Sequence, residues 1–136
     1  MLTRRIGEIE QLYTQHGGVR PFGLSMIFAG VDRKGGRVFW TDPSGAYLAY
    51  KAWSIGAGGD AANEVLEAEY SDDLTLEDSI TLALKCMAKV LEGKAVPQKV
   101  RMAVIPADTK KFRKLTNEDI EKYLKKLEPS KKAPQK

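Results

Sequence analysis

Cysteine and histidine are nearly missing from this sequence. Cys86 and His16 each stand alone among 136 residues. No disulfide framework can form, and a Cys/His zinc site lacks its three or four ligands. No apolar run approaches the roughly 20 residues that cross a bilayer. The opening MLTRRIGEIEQ has no apolar stretch of the signal-peptide kind. Together these absences point to a soluble, cytoplasmic chain with no membrane partner. After Tyr123 there is no further aromatic residue, which argues against a nucleic-acid partner read by base stacking.

What is present is ordinary for one globular domain. Apolar residues make up 43% and charged residues 29%, which excludes wholesale disorder. A chain of this length buries roughly 70% of its unfolded surface. The net charge of +4 is unevenly placed. Ten of 22 basic and four of 18 acidic residues lie from Lys110 onward, so that stretch carries +6 and residues 1–109 carry −2. The excess belongs to a tail. Residues 1–128 read as the domain and 129–136 as a disordered basic tail with nothing to bury.

Leu2, Ile6, Ile9 and Tyr13 recur at helical spacing and predict a helix over 2–16, ended by Gly17-Gly18. Thr3 reads as its cap. Phe22–Val31 is apolar on both faces and predicts a strand covered on both sides. Asp32–Gly36 and Asp42–Gly45 read as turns, with strands at Arg37–Thr41 and Ala46–Ile55. A helix capped by Asp60 carries Ala62, Val65, Leu66 and Tyr70 inward. A second helix, capped by Thr75 with Asp78, carries Leu76, Ile80, Ala83, Leu84, Met87, Val90 and Leu91, and ends at Gly93. Val100–Ile105 and Phe112–Leu115 read as strands. Thr116 caps a last helix with Ile120, Tyr123, Leu124 and Leu127 inward, stopped by Pro129. Strand runs and helix runs are segregated, so the class is α+β.

Candidate chemistry is thin. Gly56-Ala57-Gly58-Gly59 sits where a phosphate loop would, but lacks the third glycine or the GK[ST] of known fingerprints. A tight turn is the better reading. His16 has no nucleophile or acid near it in sequence. Cys86 lies on or beside a buried helix stripe, where a thiol packs as a small hydrophobe. Glu64, Glu67, Glu69, Asp72, Asp73, Glu77 and Asp78 read as a solvated acidic face. A nucleophilic threonine at position 3 would need a free amino group on itself, and Met1-Leu2 precede it. The residues give no catalytic site and call for no cofactor or metal; they point to a structural or binding role.

Four stretches carry a resemblance: YTQHGGVRPFG (13–23), TDPSGAYLAYKAWSIGAG (41–58), EVLEAEYSDDLTLEDSITLAL (64–84) and FRKLTNEDIEKYL (112–124). They resemble α-type subunits of the archaeal 20S proteasome, over essentially all of residues 2–127. Tyr13-Thr14-Gln15, Arg20-Pro21-Phe22-Gly23 and Asp42-Pro43-Ser44-Gly45 are the α-type signatures. The resemblance implies the N-terminal nucleophile hydrolase fold, an αββα sandwich, of which this chain matches the C-terminal part. Family α-subunits form seven-membered rings that cap the catalytic rings, gate entry and dock ATPases; they are not proteolytic. The gate segment, the first strands, the first long helix and the lysine that receives the ATPase fall in the half not represented here. The resemblance therefore implies a truncated, non-catalytic assembly subunit. Self-association is expected, with proteasome α or β subunits as further partners. A self-assembling scaffold outside protein degradation is the other reading.

Overall fold

A computed structural model describes residues 2–15, 23–92 and 95–127, the side chains of 13–15 excepted. The chain divides into two compact units, Met1–Asp60 with Ile105–Lys110, and Ala61–Val104 with Lys111–Lys136.

The first unit is a helix on a three-stranded sheet. Helix α1 (Leu2–Gln15) precedes strands β1 (Met26–Asp32), β2 (Gly35–Thr41) and β3 (Tyr47–Tyr50). The strands form an antiparallel meander in the order β1-β2-β3. A two-residue turn, Arg33-Lys34, joins β1 to β2. It is held by the Lys34 N–H donating to Asp32 Oδ1 at 2.7 Å and by an Arg37–Asp32 ion pair at 2.9 Å. The turn is tighter than the five-residue turn expected from Asp32–Gly36, and its register places Asp32 opposite Gly35.

Both longer strand expectations shorten for local reasons. Strand β1 begins at Met26, opposite Thr41, because β2 then enters a turn whose Pro43 has no N–H to give. Strand β3 ends at Tyr50, where the chain bends and Trp53 stacks on Tyr50 at 4.1 Å between ring centroids.

Helix α1 turns a face to the sheet that its apolar spacing does not predict. Thr3, Gly7 and Glu10 are the buried row, and Leu2 is 67% and Leu12 51% exposed. Thr3 is thus inside the helix and not its cap. The cause is a backbone contact: a Cβ on Gly7 would lie 2.8 Å from the Gly45 carbonyl oxygen. Only the glycine side of α1 can approach that closely.

The second unit contains helices α2 (Gly59–Glu69), α3 (Leu76–Val90) and α4 (Asn117–Leu127), a 3₁₀ turn (Pro97–Lys99) and a two-stranded ladder of β4 (Ala103–Val104) and β5 (Arg113–Lys114). Asp60 is the second residue of α2, in its first turn, and not the cap expected of it, because the helix already begins at Gly59. Thr75 and Asp78 form a full capping box on α3. Thr116 and Asp119 repeat it on α4: the Asp119 N–H donates to Thr116 Oγ1 at 3.1 Å, and the Thr116 N–H to Asp119 Oδ2 at 3.2 Å. The ladder stays short because Pro106 follows β4 closely and cannot donate, although the Leu115 N–H reaches the Met102 carbonyl at 2.9 Å.

Helix α3 has two buried faces. Ile80 and Leu84 join Val100, Val104, Leu115 and Ile120 in one core, with Tyr123, Leu124 and Leu127 of α4 packed on it. Leu82 and Cys86 meet Ala62 of α2 in a second core. Leu76 is 38% and Tyr70 36% exposed, so the expected stripes hold in their middles and fray at these ends. The element order and mixed content make the class α+β.

Candidate assembly surface

Antiparallel partners share a face of the sheet. The register Met26–Thr41–Tyr47 and Phe28–Phe39–Ala49 defines one face, and Ile27–Trp40–Leu48 and Ala29–Val38–Tyr50 the other. Helix α1 covers the first: Gly7 packs beside Tyr47, and Glu10 faces Thr41. The second face carries no helix of its own unit. Ile27 is 37% and Leu48 52% exposed there, and Ala29 is open as well. Beside them lies an aromatic cluster, with Trp53 against Tyr50 and 6.1 Å from Trp40. The indole N–H groups of Trp40 and Trp53 are buried without a hydrogen-bond partner. Cover on both faces, expected of β1, is not supplied within the unit: α1 packs against β2 and β3, and Ile27 and Ala29 of β1 stay exposed. Period-2 apolarity reports what a strand can bury, not what this unit supplies to bury it.

The turn at the end of this sheet is rigid. Asp42 Oδ1 accepts from the Ser44 N–H at 2.8 Å, the Ala46 N–H at 3.1 Å and the Ser44 hydroxyl. The Gly45 N–H closes on the Asp42 carbonyl at 3.1 Å, and the Asp42 N–H on the Ala46 carbonyl at 3.0 Å. Gly45 then turns left-handed at φ +85°, the usual geometry of a short hairpin loop with a glycine bulge. The Ser44 hydroxyl, with the turn amides, holds the Asp42 carboxyl below its ordinary 3.8. Pro43 and Ser44 are exposed at the tip, while Gly45 faces α1. Asp42–Gly45 thus make a structural corner that seats the helix.

The other signature residues are placed less fully. Tyr13, Thr14 and Gln15 form the last turn of α1, and their side chains lie outside the described residues. Arg20, Pro21 and Phe22 lie outside them entirely, as do His16, Gly17-Gly18, Gly93 and the tail with Pro129; Gly23 is exposed.

The remaining candidates have structural surroundings. Burial, with Glu69 nearby, pushes the Cys86 thiol up, and its Sγ lies 3.7 Å from the Ala62 carbonyl oxygen. Gly56 and Gly58 are left-handed, and the Gly59 N–H closes a turn on the Gly56 carbonyl at 3.0 Å. Among the acids, Glu69 pairs with Lys85, and Glu77 accepts from the Tyr123 hydroxyl at 2.7 Å. Among the described residues no group of three or more His, Cys, Asp or Glu could hold a metal ion. No helix among them is long and apolar enough to cross a membrane. A groove of about 490 Å³ between α2, α3 and α4 is edged by Glu69, Lys85 and Lys126, but Lys85 is already paired across it.

Sequence reasoning missed Gly7 and Glu10. Neither adds to an apolar pattern, and their importance comes only from the partner they meet.

The first unit thus carries a helix on one side of an antiparallel meander and exposed apolar side chains on the other. Comparison with known proteins gives the context: the proteasome subunit family profile matches residues 2–105. The chain belongs to the proteasome subunit family. Archaeal α subunits are among its relatives. It is 48% identical over 126 residues to the proteasome subunit alpha of Methanothermobacter thermautotrophicus, covering 93% of this chain and 51% of that protein. To the proteasome subunit alpha of Methanocaldococcus jannaschii it is 44% identical over 127 residues, 93% of this chain and 48% of that protein. To that of Saccharolobus islandicus it is 44% identical over 128 residues, 93% of this chain and 53% of that protein. The chain spans about half the length of the curated relatives it matches.

Proposed function

We propose that this chain is a non-catalytic, α-type proteasome subunit chain whose work is assembly with other subunits through the uncovered face of its sheet. The observation that carries this reading is that face: Ile27, Trp40, Leu48 and Tyr50 lie on the side of the sheet opposite α1, with Ile27 and Leu48 exposed. Full burial of an Ile or Leu side chain contributes about 1.5–3 kcal/mol, so the wet parts of Ile27 and Leu48 favour a covering layer. On this reading, helix, sheet and exposed apolar face are taken as one half of an αββα sandwich of the N-terminal nucleophile hydrolase kind. The non-catalytic reading is supported by Thr3, which is 3% exposed within α1. A nucleophile must reach its substrate, and this hydroxyl cannot do so while the helix is seated.

The test is co-expression with archaeal proteasome α and β subunits, followed by native mass measurement and a fluorogenic peptidase assay of the isolated chain. A complex containing this chain and no turnover by the chain alone is expected. Failure to join any subunit while forming a particle of its own would favour the scaffold reading. Turnover that survives repurification and is lost in Thr3→Ala would overturn the non-catalytic one.

A further inference from the structure

Glu10 is the least expected residue in the molecule. It is fully buried between α1 and the sheet. Neither carboxyl oxygen, nor the buried hydroxyl of Thr41, makes a hydrogen bond of good geometry. Asp42 stands close enough to repel it. A buried carboxylate needs a cation or several donors, and among the described residues none is supplied. Arg4 and Arg5 turn to Glu8 on the exposed side of the helix. Arg37 is committed to Asp32 at the opposite end of the sheet. From β3, Tyr47 packs against Gly7 and brings no charge.

We propose that Glu10 keeps its proton while α1 is seated, and that ionisation of this carboxyl releases the helix, so that the α1–sheet contact is a proton-controlled latch. One proton resolves two otherwise unpartnered groups, because a neutral carboxyl can donate to the hydroxyl oxygen of Thr41. Loss of that proton to water leaves a buried charge on Glu10 with the like charge of half-exposed Asp42 close by. Burial, then Asp42, pushes the Glu10 carboxyl above its ordinary 4.5, against the opposing pull of the Thr41 hydroxyl. Asp42 is held low, so it stays ionised across the range in which Glu10 titrates. The sign follows: seating is strongest below the ordinary Glu value and is lost as pH rises through the raised one. Gly7 and Gly45 confine the effect to α1, since their contact is what brings Glu10 inside.

The experiment uses the full chain. The Glu10 carboxyl is titrated by carbon NMR, and amide exchange in residues 2–12 is followed over the same pH range, corrected for intrinsic exchange. The midpoint should lie above 4.5, with α1 protection falling by at most about tenfold per pH unit between 4.5 and that midpoint and levelling off above it. Glu10→Gln should keep α1 protected throughout. Asp42→Asn, which retains an acceptor oxygen for the turn, should lower the midpoint. A midpoint at or below 4.5, protection in Glu10→Gln that falls in parallel with the wild type, or a midpoint that Asp42→Asn fails to lower would overturn the latch. Stabilisation of α1 by added Mg²⁺ or Ca²⁺, abolished in Glu10→Gln, would put a cation where the proton is proposed and overturn it equally.

Discussion

Gly7 and Gly45 show how a fold can hinge on residues with no side chain. A Cβ on Gly7 would meet the Gly45 carbonyl oxygen at 2.8 Å, and one on Gly45 would meet the Gly7 carbonyl oxygen at 2.5 Å. Both neighbours are backbone and cannot step aside. Overpacking of this kind costs about 1–3 kcal/mol. Gly45→Ala adds roughly 1–2 kcal/mol for its left-handed backbone, so it should be the worse variant in urea unfolding. Asp42 supplies a different test. Its carboxyl is held below 3.8 by the Ser44 hydroxyl and the turn amides, so its stabilisation is fully present above 3.8 and is lost as pH falls through the lower folded value. Asp42→Ala should lower the melting temperature at pH 7 and flatten the acid limb of its pH dependence. The turn itself was legible from Pro43 and Gly45, since their backbone preferences are local. The Gly7 contact was not, because a glycine inside an apolar-spaced helix carries no sign of the partner it approaches.

Among the elements, the helices with reciprocal caps are those whose starts the sequence placed best. Thr75 with Asp78 and Thr116 with Asp119 each satisfy first-turn donors in both directions. Thr75→Ala and Thr116→Ala should each cost about 1 kcal/mol, read as a fall in the urea midpoint at constant slope. Leu84 is fully buried between α3 and its neighbours, so Leu84→Ala should cost about 2–5 kcal/mol. The apolar period gave the inner faces of α3 and α4 correctly in their middles. It gave the second buried face of α3 only in part: Cys86 and Val90 were placed on or beside the stripe, whereas Leu82 falls between the stripe positions and is buried against Ala62 of α2 and its neighbours. In α1 the period was offset: Ile6 and Ile9 are half-buried, while the fully buried row is Thr3, Gly7 and Glu10. Leu2 belongs to the apolar row yet lies open, since the Gly7–Gly45 contact fixes the rotation of the helix. Strand lengths were overread for a related reason: apolar residues continue past the last ladder pair, whereas pairing ends where a proline or a bend removes the partner.

At the scale of the whole molecule, the open sheet face and its edges bear on association. The outer edge of β3 reads Tyr47-Leu48-Ala49-Tyr50, with none of the lysines or prolines that usually guard a free edge. Leu48 and Ile27 are apolar and wet on the same face. We expect two copies to bring these faces together in a closed, self-complementary contact, in which each copy supplies the same patch. Leu48→Lys tests this cleanly. The side chain is half exposed in the chain alone, so the substitution should barely change the stability of an isolated chain. In a paired state it buries a charge with no partner, a cost of several kcal/mol. Sedimentation over a wide concentration range should therefore show a mass that grows with concentration for the wild type and stays monomeric for Leu48→Lys, with superimposable circular dichroism. Truncation after Glu128 should leave both mass and melting temperature unchanged, because SKKAPQK offers no apolar anchor. A wild-type chain that stays monomeric and unfolds cooperatively at every concentration would refute the contact, since it would mean that the sheet tolerates its wet face unaided.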